Sequence, residues 1–158
     1  MYLAERRTRA MGSSAQVLVY ANAQAAADRL ADLALMRAEL LEQCWSRFRD
    51  DSELSRLNDN AGLGPVAVSA DLETLVAIMR EASEWTRGAF DPTILRAIRS
   101  LGYDADFAAI VARETLSALD ESVSPSLGMC GVVIDTVAHT VSLPAGVGLD
   151  PGAIGKGL

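Results

Sequence analysis

Apolar residues recur every three or four positions from Gln24 to Cys44, at Ala27, Leu30, Ala34, Leu41 and Cys44, with Leu33 and Leu40 alongside. That is the period of one helical face, and it predicts a long helix packed on a sheet. Ahead of it, Gln16 to Ala21 is a short apolar run that reads as a strand. Arg49 to Asn60 turns polar and irregular, and Val66 to Val68 reads as a short strand. Ser69 or Asp71 then caps a second helix whose apolar face carries Leu72, Leu75, Val76, Met79 and Ala82, ended near Gly88. Pro92 suits the first turn of a short helix running to about Leu101 and closed by Gly102. Ala105 to Ala112 is a further helical stretch. Val132 to Asp135 and Val141 to Leu143 flank the polar connection Thr136 to Thr140 and predict a hairpin. Val147 to Leu149 would be a third strand, feeding a glycine-rich turn. Without a regular βαβ rhythm the fold class is α+β, helices packed on a largely antiparallel sheet.

Composition narrows the partners. The 158 residues suffice for one core, and half of them are apolar. The net charge of −7 argues against nucleic acid or an anionic membrane as the main partner. Cys44 and Cys130 are far apart and outside any CxxC context, which favours two ordinary buried thiols over a disulfide or zinc site. Arg6, Arg7 and Arg9 precede no apolar segment, so the first ten residues do not read as a secretory signal. No run approaches the ~20 apolar residues of a membrane span, and the expected compartment is the cytoplasm.

Three polar clusters remain. Ser46 to Asn58, SRFRDDSELSRLN, is either a solvated connector or a loop placing Phe48 beside a flat ligand, with Arg47 or Arg49 near phosphate. Gly88 to Thr93, GAFDPT, is either a helix stop and start with Asp91 as cap, or part of a pocket. Leu149 to Leu158, LDPGAIGKGL, is either a loose end or a glycine turn that lets backbone approach a ligand. The familiar phosphate fingerprints fail. A P-loop needs glycine where Asp150 stands and Ser or Thr where Gly157 stands, and a dinucleotide motif needs glycine at Pro151. His139 is the single histidine and reads as exposed, which leaves no Ser–His–Asp or Cys–His nucleophile. Any metal should be a hard ion held by oxygen.

Together with Met11-Gly12-Ser13, these clusters resemble the ApbE family of FAD:protein FMN transferases, in the family's order, from Met11 onward. The match covers about the first half of the family domain, so residues 1–158 read as the N-terminal portion of a single ApbE-like domain, incomplete in this chain. The resemblance implies cleavage of FAD with Mg²⁺ and attachment of FMN, through a phosphoester, to a threonine of a target flavoprotein. It implies that Met11, Phe48, Ala89, Phe90, Asp91, Asp150 and Lys156 contact FAD, and that Ala153 offers its carbonyl to Mg²⁺. The family's further metal ligands would lie beyond residue 158, in a C-terminal half supplied in cis or in trans, and the 158 residues alone are expected to be inactive. No residue is identified as the catalytic base. Two alternatives stay open, a non-catalytic FAD-binding module and an FAD pyrophosphatase releasing FMN and AMP.

Overall fold

The computed structural model describes residues 1–10, 12–105, 110, 126–152 and 154–158. The helical stretch expected from Ala105 to Ala112 lies outside these, apart from Ala105 and Ile110. In chain order the elements are β1 (Tyr2–Ala10), β2 (Ser13–Ala21), α1 (Gln24–Trp45), α2 (Glu53–Asp59), β3 (Val66–Ala67), α3 (Ala70–Trp85), α4 (Leu95–Ser100), β4 (Val133–Asp135) and β5 (Thr140–Ser142). Helices mix with antiparallel strands, as the sequence predicts. The chain divides into two compact units, Met1–Gln43 and Cys44–Leu158.

In the first unit β1 pairs antiparallel with β2, in register from Tyr2↔Ala21 to Ala10↔Ser13. β1 is absent from the sequence reading because its charged residues hide the alternation. Ala4 is buried while Glu5 and Arg7 face water, and Arg6 donates to Asp28 and Asp32 of α1 at 3.1 and 2.8 Å. Those pairs are half exposed and contribute little to stability. The face of α1 that packs here is also not the leucine stripe. Ala27 and Ala31 are fully buried against Ala4, Val17, Val19 and Ala21, whereas Leu30, Leu33 and Leu40 stay about half exposed. Small side chains let the helix lie close to the strands, so alanine rather than leucine marks the contact.

The second unit begins with Cys44 and Trp45, both buried, and the Trp45 indole donates to the Asp71 carbonyl at 3.2 Å. The stretch expected to be irregular contains α2. Ser52 caps it, accepting from Ser55 N–H at 3.0 Å and donating to the Ser46 carbonyl at 2.6 Å. Leu54 and Leu57 are fully buried beneath it. Ser69 caps α3 as expected, with Leu72, Leu75, Val76 and Met79 fully buried. The helix closes when Gly88 N–H reaches the Ser83 carbonyl at 2.8 Å, with Arg87 in the left-handed region at φ 53°.

The hairpin is where the pattern puts it, with strands in the order β3-β5-β4. The expected third strand shrinks to one parallel bridge, Gly148 with Ile94. Leu95 N–H goes to the Gly148 carbonyl, α4 starts at that residue, and Pro92 lies in the preceding turn rather than in a helix.

Cys44 is buried as expected, but Cys130 is exposed, which corrects one of the two predicted buried thiols. Burial pushes the Cys44 thiol up to about 11. A thiol-labelling time course at neutral pH should therefore show one fast-reacting cysteine, removed by Cys130→Ser, and a second that reacts only on unfolding. Two fast cysteines would contradict this packing.

Candidate functional site

Three clusters far apart in sequence meet at one backbone junction. Leu149 is fully buried; its N–H donates to Asn58 Oδ1 at 2.8 Å and its carbonyl accepts from Asn58 Nδ2 at 3.0 Å. Asn58, at the end of α2, thus pairs with the buried strand-like segment as a neighbouring strand would. One residue on, Asp150 N–H donates to the Pro92 carbonyl at 2.8 Å, and Leu95 N–H donates to the Gly148 carbonyl at 3.3 Å. Gly148 permits that approach, because a Cβ there would sit 3.2 Å from the Leu95 side chain.

The side chains reinforce the junction. Arg47 Nε lies 3.1 Å from Asp150 Oδ2, with the two side chains only 11% and 10% exposed. Arg47 also donates to the Tyr103 carbonyl at 2.7 Å, and its guanidinium lies 4.0 Å from the Phe48 ring centroid. Burial pulls the Arg47 guanidinium below its ordinary pKa, against the opposing charge of Asp150 and helped by the like charge of Arg99. The other Asp150 oxygen accepts from Gly152 N–H at 2.7 Å, and a Cβ on Gly152 would crowd that oxygen at 3.0 Å. Both oxygens of this carboxylate therefore have partners within the chain.

Asp91 is built differently. Its Oδ1 accepts from Thr93 N–H at 2.8 Å and from the Thr93 hydroxyl at 2.6 Å, and Thr93 in turn bonds the Ser126 hydroxyl. This closes a tight turn instead of capping α4, which has no side-chain cap. Burial acts to raise the Asp91 carboxyl, but hydrogen bonds from Ser126 and Thr93 overcome it and hold the carboxyl below the usual carboxylate value. A depressed folded pKa contributes stability above the unfolded carboxylate pKa, and that stability is lost as pH falls through the folded value. Asp91→Asn should therefore remove part of the acid-side fall in melting temperature while lowering stability near pH 7. An unchanged acid limb in thermal scans would count against these bonds.

Of the expected site residues, the junction gathers Phe48, Asp91 and Asp150. One face of the exposed Phe48 ring is covered by Arg47, so a flat ligand would meet the other. Ala89 is exposed and Phe90 half-buried on the segment leading into Asp91. Lys156 is exposed on the closing turn, where Pro151 is buried and its carbonyl accepts from Ile154 and Gly155 N–H, each at 2.8 Å. Pro151 therefore fits this turn without cost to its hydrogen bonding. Met11 and Ala153 lie outside the described residues. Asn58, Thr93 and Ser126 carry the junction without having been singled out, and the signal for Asn58 was its place at the end of the SRFRDDSELSRLN cluster. Among the described residues no group of three or more His, Cys, Asp or Glu side chains could hold a metal ion.

Comparison with known proteins gives a consistent result. A model of the ApbE family matches residues 11–158. An FAD:protein FMN transferase of Treponema pallidum (strain Nichols) is 35% identical over 118 residues, which are 73% of this chain and 33% of that protein. The crystal structure of the ApbE protein from Thermotoga maritima MSB8 is similar with a TM-score of 0.82 at 23% identity, over 99% of this chain and 49% of its own. The flavin transferase ApbE from Vibrio cholerae gives a TM-score of 0.71 at 21% identity, over 99% and 50%. The chain thus spans about half the length of these solved structures and a third of the curated relative. No described helix is long and apolar enough to cross a membrane.

Proposed function

The chain belongs to the ApbE family, and from that premise we propose that residues 1–158 are the N-terminal portion of a single flavin transferase domain. Its substrate is FAD, and its product is FMN joined by a phosphoester to a threonine of a target flavoprotein. The observation that carries this is the junction itself, where Asn58, Pro92 and Asp150 lock three clusters of the family pattern onto one short stretch of backbone. FAD would lie along it, contacted by Met11, Phe48, Ala89, Phe90, Asp91, Asp150 and Lys156. Two ionised carboxylates repel phosphate, so Asp91 and Asp150 face ribose, adenine or the flavin ring. The pyrophosphate belongs with Lys156, which neutralises charge that grows on the bridging and leaving oxygens as the bond breaks. Mg²⁺, held in part by the Ala153 carbonyl, would add further charge neutralisation.

The test is mass spectrometry of a threonine-containing acceptor incubated with FAD, Mg²⁺ and the protein in its full natural length. Covalent FMN on the acceptor is expected, and it should vanish on chelation. Free FMN and AMP with an unmodified acceptor would identify a pyrophosphatase, and FAD binding without turnover a non-catalytic module. Lys156→Ala should weaken FAD roughly tenfold, the size of one charge-assisted contact. Riboflavin, which lacks the phosphates, should be unaffected. Equal losses for both ligands would place Lys156 away from the pyrophosphate.

A further inference from the structure

A cavity of about 400 Å³ opens beside the junction, lined by Asn58, Asp59, Ala61, Leu95, Arg96, Arg99, Val147 and Gly148. Its volume is at the lower end of the range for small-molecule sites. Leu95 and Val147 give it a buried apolar floor, each 2% exposed. Arg96 and Arg99 are one turn apart on α4 and therefore share a face. Leu95 anchors that short helix through its buried side chain and its bond to the Gly148 carbonyl. Among the described residues of the lining Asp59 is the one carboxylate, against two guanidinium groups, which makes this lining cationic in a chain of net charge −7. Among the described residues neither arginine forms an ion pair, unlike Arg6, Arg7, Arg47 and Arg49. Arg99 also lies near enough to Arg47 for the like charges to repel.

We propose that this cavity is an anion subsite, in which Arg96 and Arg99 take a phosphate or carboxylate group of a ligand lying along the Gly148–Asp150 backbone. Guanidinium forks suit either group through paired N–H donors. An anion there would offset the repulsion between Arg99 and Arg47, and so would favour the Arg47–Asp150 pair that shapes the junction. The anion has two sources, the phosphate of the AMP half of the dinucleotide or an acidic side chain near the acceptor threonine. Only the naming of these two sources rests on the flavin transferase reading.

The experiment uses the protein in its full natural length, with Arg96→Gln, Arg99→Gln, the double variant, and Arg9→Gln as a charge control in the other unit. Both target side chains are exposed, so thermal scans should match the parent. Binding of AMP and of an acceptor peptide with acidic flanks is titrated calorimetrically at two salt concentrations. One of the two probes should weaken roughly tenfold per arginine, with a shallower salt dependence, while riboflavin and Arg9→Gln show no change. Loss confined to AMP assigns the subsite to the nucleotide, and loss confined to the peptide assigns it to the acceptor. Both probes within threefold of the parent in the double variant, or neither probe bound by the parent, overturns the proposal. Failure of FMN transfer with the arginine-dependent binding intact would instead sink the transferase reading alone.

Discussion

Replacing Arg47 by methionine should cost the Cys44–Leu158 unit about 3–5 kcal/mol of unfolding free energy, the range seen when one partner of a buried ion pair is removed. The substitution keeps an apolar stem in place but deletes three interactions at once. Asp150 loses its cation, the Tyr103 carbonyl loses a donor, and the Phe48 ring loses the group stacked on it. With Asp150 only 10% exposed, its charge would be left without compensation in a poorly solvated place. Both tryptophans, Trp45 and Trp85, belong to this unit, so fluorescence-monitored urea unfolding reports on it directly. Asp150→Asn should be costly for the same reason, and Arg47→Met with Asp150→Asn should cost clearly less than the two added together. A single Arg47→Met variant within about 1 kcal/mol of the parent would mean that the pair is not formed in solution.

Asn58→Ala should destabilise the same unit by about 2–4 kcal/mol, because each buried backbone group left unpaired costs about 1–3 kcal/mol. Leu149 is fully buried, and Asn58 supplies partners for both its N–H and its carbonyl. Asn58→Asp separates the two bonds. A carboxylate still accepts from Leu149 N–H but cannot donate to the carbonyl, so roughly half of the loss or more should appear. Hydrogen exchange gives an independent check, since the Leu149 amide should be among the protected sites in the parent and exchange quickly in Asn58→Ala. Unaltered protection would contradict the pairing. For the proposed function the consequence is positional, because Asp150 follows Leu149 immediately and inherits any slack in its backbone.

The parts of this fold that are legible in sequence are those whose forces are local. α3 declares itself through the Ser69 cap and the fully buried Leu72, Leu75, Val76 and Met79 at helical spacing. The β4–β5 hairpin does so through two apolar runs around a short polar connection. Where contacts are made by unremarkable residues, the pattern misleads. In α1 the positions buried against the strands are Ala27 and Ala31, while Leu30, Leu33 and Leu40 stay about half exposed. β1 is concealed by its charged residues, among them Arg6, whose partners Asp28 and Asp32 lie 22 and 26 residues away on a helix. α2 has only two fully buried leucines, too few to stand out among charged neighbours. The site divides in the same way. Its three clusters can be seen as polar residues that no core requires, but their meeting depends on Asn58 reaching Leu149 across 91 residues. No periodicity encodes such a contact. Ala89 and Lys156 belong to the exposed half of the site, so no burial pattern marks them.

Fluorescence titration of FAD against the protein in its full natural length tests the junction most directly as a flavin site. One saturable FAD per chain should quench the flavin emission, with riboflavin weaker by at least roughly tenfold for want of the phosphates. A folded protein that binds no FAD, or binds riboflavin equally well, would contradict it.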